Sequence, residues 1–107
     1  MSRNLLLWKW SSAFDTPAKR KRAGLKFADV TGGFAASGHH PAIGDADIGG
    51  FRAALEAVFG TDEVTRPFVL ELHPNCAVIN YGESVRFDLV PKVADIGRRF
   101  GLNASEF

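Results

Sequence analysis

Hydrophobic positions along the chain recur with two different periods, and the switches between those periods mark the elements. From Asn4 to Trp10 bulky apolar and aromatic residues run almost without break to Ser11-Ser12, which predicts a strand. Alternation puts Leu6, Trp8 and Trp10 on one side and Leu5, Leu7 and Lys9 on the other. Two largely apolar faces predict a central strand. Thr16-Pro17 is a helix start, a side-chain cap followed by a residue whose missing N–H costs nothing there. Phe27, Val30 and Phe34 continue at helical spacing, so a helical region from Pro17 to Ala36 is expected, with breaks near Gly24 or Gly32-Gly33. After a loop over residues 37–44, Ile48, Phe51, Leu55, Val58 and Phe59 form the buried stripe of a helix capped by Asp47 and ended at Gly60.

Period two returns at Phe68 to His73 and at Cys76 to Tyr81, with Pro74-Asn75 between them as a tight turn. Setting His73 against Cys76 places Leu72 opposite Ala77, Leu70 opposite Ile79 and Phe68 opposite Tyr81, so one face is wholly apolar; a one-residue slip mixes the faces. A last helix is expected after Asp88, with Pro91 in its first turn, a stripe of Leu89, Val93, Ile96 and Phe100, and a stop at Gly101. A short strand over residues 102–107 completes the pattern. The order predicts an α+β fold over residues 1–107, a ferredoxin-like sandwich with helices on one face of an antiparallel sheet. The right-handed crossover preference further predicts that the first strand and one hairpin strand are parallel neighbours.

Composition narrows the class of partner. The 107 residues carry 13 Lys and Arg against 12 Asp and Glu, a formal net charge of +1, which removes the global attraction of a dedicated nucleic-acid or membrane-surface binder. Lys9 interrupts the opening apolar run, and no stretch nears the roughly 20 apolar residues of a spanning helix. Cys76 is the single cysteine. A cytoplasmic protein with an inert buried thiol is the expectation.

Chemistry-bearing residues concentrate in the loop from Gly38 to Asp47. His39, His40, Asp45 and Asp47 are a candidate metal-ligating set, since imidazole and carboxylate together suit zinc, manganese or iron. Against that, adjacent histidines diverge, Asp47 is accounted for by helix capping, and the spacing fits no established metal motif. Lys19, Arg20, Lys21 and Arg22, with Lys26, are the candidate phosphate contacts of a weak nucleic-acid binder. Both hairpin strands lack the aromatic signature of RNA-binding sheets, and a charge run is commonly a solvated helix face. These cations also stand at the wrong end of a long helix for its dipole. Cys76 and His73 approach across the proposed turn as a thiolate pair requires, but no serine lies in a nucleophile elbow, and Gly32-Gly33 and Gly49-Gly50 open no phosphate loop. No cofactor is expected.

The sheet face away from the helices is the more informative feature. It carries Val69, Glu71, His73, Cys76 and Val78 beside one apolar side of the central strand, and exposed apolar patches of that extent mark interaction sites. The leading expectation is a non-enzymatic interaction module that docks a second copy or another protein through Val69, Glu71, His73 and Val78. The opening Leu5-Leu6-Leu7-Trp8-Lys9-Trp10, the His40-Pro41-Ala42-Ile43-Gly44 loop, Arg66-Pro67-Phe68-Val69 and Arg86-Phe87-Asp88-Leu89-Val90-Pro91 together resemble a family of short bacterial proteins with no assigned activity. That resemblance implies a bacterial cytoplasmic setting and a single domain, and it supplies no catalytic residue to carry over.

Overall fold

The computed structural model describes residues 2–107. Strand β1 is Ser2–Trp8, followed by helices α1 (Pro17–Ala23), α2 (Phe27–Ser37) and α3 (Ile48–Phe59). The hairpin strands are β2 (Phe68–Leu72) and β3 (Ala77–Gly82). A 3-10 turn, Glu83–Val85, then leads into α4 (Arg86–Arg98), and β4 (Asn103–Glu106) closes the chain. The fold is α+β, and its one four-stranded sheet is antiparallel throughout in the order β2-β3-β1-β4.

The hairpin register is the one its hydrophobic pattern dictates. Phe68 faces Tyr81, Leu70 faces Ile79 and Leu72 faces Ala77, and the His73 N–H donates to the Cys76 carbonyl at 2.9 Å. The expected parallel neighbours are absent. β1 pairs antiparallel with β3, and β2, which runs the same way as β1, lies one strand further out. The crossover rule fixes relative direction, but the hairpin's second strand takes the place beside β1.

Helices cover both faces of the sheet, not one as expected. Leu5 and Leu7 of β1 pack with Ala77, Ile79 and Tyr81 against α3 and α4, through Phe51, Leu55, Leu89, Val93 and Ile96. On the other side Leu6 and Trp8, with Cys76 and Val78, pack against Val30 and Phe34 of α2 and against Ala42. The cause is the break at Gly24, whose φ of 67° suits glycine and ends α1 after seven residues. Freed there, the chain turns and lays α2 across the sheet face that a single long helix would have left bare. The 42–44 loop seals it, with the Ser11 N–H donating to the Ala42 carbonyl at 2.7 Å and Trp10 bridging Ile43.

Two helix details also depart from expectation. α4 begins at Arg86, earlier than expected, so Pro91 lies inside it and one ladder bond, to the Phe87 carbonyl, is forfeited. Val58 is more than half exposed because the apolar stripe of α3 ends at Leu55 and Phe59.

Candidate functional site

The hairpin turn and the loop after α2 converge on a cleft of about 280 Å³. Phe34, Ile43 and Pro74 give it apolar walls, and His39, His40, His73, Asn75 and Cys76 bring polar atoms. Gly33 lets the loop close down, since a Cβ there would stand 2.6 Å from Cδ2 of His40. The His40 ring is then fixed by accepting the Ala42 N–H at Nδ1, 3.0 Å away, which leaves the proton of the neutral ring on Nε2. His73 stands edge-on to Phe34 with ring centroids 5.2 Å apart. Its Nε2 is buried and lies 3.3 Å from a Glu71 carboxylate oxygen, yet outside hydrogen-bonding alignment, so that nitrogen has no bonded partner.

The thiolate pair is not formed by this arrangement. Burial, and secondarily the Glu71 charge, push the Cys76 thiol up to about 11, the opposite of the depression an activated nucleophile needs. The four-residue metal loop is not assembled either. Asp47 accepts the Gly50 N–H at 2.9 Å as the cap of α3, and Asp45 lines a different hollow beside Lys9, Trp10 and Ser11. Among the described residues no group of three His, Cys, Asp or Glu side chains stands close enough to hold a metal ion.

The basic run is divided between structural and solvated roles. Lys19 pairs with Asp15 at 2.9 Å and also donates to the Ser12 carbonyl, while Arg20 donates to the Phe14 carbonyl and lies over the Trp10 ring. Lys21 and Arg22 remain exposed, and because α1 is short, Arg20, Lys21 and Arg22 occupy its last turn, where cations favour the dipole.

The proposed interaction face is also split. Val78 is buried beneath α2 and offers nothing to a partner, and His73 is drawn into the cleft wall. Val69, 62% exposed, and Glu71 remain open on β2 because α2 stops short of the outermost strand. The hydrogen bond from His73 to Cys76 sets the alternation of the ladder, so Val69 and Glu71 spend their backbone groups on β3. Phe68, Leu70 and Leu72 therefore turn their N–H and C=O groups outward. No backbone hydrogen bond among the described residues reaches them. The alternation of this hairpin reveals its faces but not its edge, since strand order is not written in periodicity.

Compared with known proteins, no family model matches the chain, and no curated protein or solved structure matches it. No helix among the described residues is long and apolar enough to cross a membrane.

Proposed function

We propose that this protein is a small non-enzymatic interaction module whose contact element is the free edge of β2. The observation that carries the reading is the row of outward backbone groups at Phe68, Leu70 and Leu72, flanked by exposed Val69 and Leu72. An open strand edge adds a further strand through main-chain bonds, with neighbouring side chains setting preference. A reducing cytoplasmic setting accords with the free, buried Cys76. The test is amide exchange by NMR on the dilute protein. Amides of Phe68, Leu70 and Leu72 should exchange much faster than those of Val69 and Glu71, and a panel of extended peptides with alternating apolar and polar residues should perturb this strand first. Outward amides that are already protected in the dilute protein would mean its own chain covers the edge, and the reading would fall.

A second reading is favoured by the convergence of His39, His40 and His73 on one cleft, which suits a small polar ligand held between imidazoles and the Phe34 ring. Shifts confined to the side chains of Phe34, His40 and His73 on screening small anions and imidazole-binding ions would support it over the strand edge.

A further inference from the structure

Resting on the edge reading, we infer that the occupant of the β2 edge is β2 of a second copy, added antiparallel about a two-fold axis through Leu70. The inference follows from the symmetry of the outward groups. Leu70 is the middle residue of β2, and Phe68 and Leu72 lie two residues to either side, all turned outward. A copy rotated about Leu70 sets Leu70 against Leu70 and Phe68 against Leu72, so every outward N–H meets an outward C=O.

Neighbouring registers do worse for reasons that can be named. Centring on Leu72 would set Leu70 against Pro74, which has no N–H to give. Centring on Glu71 would bring two carboxylates face to face, which is unfavourable in directly opposed cross-strand pairs. Centring on Val69 would leave Leu72 opposite Arg66, which lies before β2 and is buried. In the Leu70 register Val69 of each copy lies opposite Glu71 of the other. An exposed valine is thereby covered without any like-charge contact.

The opposite edge of the sheet does not compete. β4 is four residues long, its outward residues are Ala104 and Glu106, and the Glu106 carboxylate is bound to Arg86 and Tyr81. A single strand-to-strand contact is small, so the dimer forms in the upper micromolar range rather than at trace concentration.

The register makes a prediction of sign that other modes of docking do not share. Val69→Glu places a carboxylate opposite Glu71 twice per dimer, and Val69→Lys places an ammonium there instead. Sedimentation equilibrium over a dilution series up to about millimolar protein, an upper limit set by the weakness of small contacts, reads the outcome. The wild type should double its mass with concentration. Val69→Glu should weaken association about tenfold or more, from two like-charge pairs added to the loss of apolar cover. Val69→Lys should associate as well as the wild type or better, and adding Glu71→Lys to Val69→Glu should restore the dimer. Val69 is exposed, so circular dichroism of each variant should match the wild type. A wild type that stays monomeric at the highest concentration, or equal weakening by Val69→Glu and Val69→Lys, overturns the inference. If the outward amides still exchange fast in that monomer, the free edge survives and only its occupant is wrong.

Discussion

The two edges of the sheet are finished in opposite ways. At β4 the chain closes on itself, with the Tyr81 hydroxyl donating to Glu106 at 2.8 Å and Arg86 gripping both carboxylate oxygens at 2.9 and 3.1 Å. The indole of Trp8 donates to the Ser105 hydroxyl at 3.1 Å, and α2 runs alongside. At β2 no side-chain hydrogen bond among the described residues crosses the edge, and α3 covers only one face of the strand, through Phe59 against Phe68. Natural sheets blunt their edges with charge, brevity or cover. β4 has all three, whereas β2 has only Glu71 and the prolines at positions 67 and 74.

Detaching β2 should have the largest effect on the sheet. Phe68 is buried, packs edge-on against Phe59 with centroids 5.2 Å apart, and lies beneath the Arg66 guanidinium. With β3 as its only strand neighbour among the described residues, β2 depends on that anchor. Phe68→Ala should cost about 3–5 kcal/mol in urea unfolding, the range for a large aromatic cut from a packed site. A loss below about 1 kcal/mol would show that β2 is held by something else.

At the other edge the expected effect is smaller and depends on pH. Arg86, through its hydrogen bonds, holds the Glu106 carboxyl below the ordinary carboxylate value, and Arg3 does the same for Glu83. A depressed carboxylate stabilises the fold above its ordinary value, and that contribution is lost as the pH falls through the lower folded value. Glu106→Gln should therefore cost about 1–2 kcal/mol near neutrality, given its partial exposure, and flatten the acid limb of the stability curve. Burial, with the Glu106 bond second, raises the Tyr81 phenol above its ordinary 10.0. Its contribution is present below that value and fades in alkali, so Tyr81→Phe should remove the alkaline limb and, by deleting one of the hydrogen bonds that hold Glu106 down, also shrink the acid one.

Much of this was legible in the chain, and what was not has a common cause. The faces of β1, the hairpin register, and the stripes of α3 and α4 all follow from residues contacting their own neighbours at fixed periods. The double cover of the sheet turned on Gly24, where one residue decides whether α1 continues or α2 swings across Trp8. The four loop residues stay apart because Asp47 caps α3 and Asp45 lines the hollow beside Lys9 and Trp10, while His39 and His40 share a cleft with His73, more than thirty positions away. Sheet order, and hence the bare edge, came from which strand won the place beside β1.

Proline substitution gives the smallest effect and the sharpest reading of that edge. Leu72 points its N–H outward, so Leu72→Pro removes no bond of the β2–β3 ladder, and proline is tolerated on an edge strand in that orientation. Leu72 is also 40% exposed, so little packing is lost. The monomer should be destabilised by about 1 kcal/mol or less, the scale for a change that spares the ladder. Glu71→Pro, one residue away, deletes the bond to Val78 and should cost about 3 kcal/mol or more. Measured by urea unfolding of dilute protein, similar costs for the two prolines would show that the alternation of inward and outward groups is wrong. A mild Leu72→Pro that nevertheless fails to associate at high concentration would locate the contact at the outward N–H of this strand, since the folded monomer retains every other feature of β2.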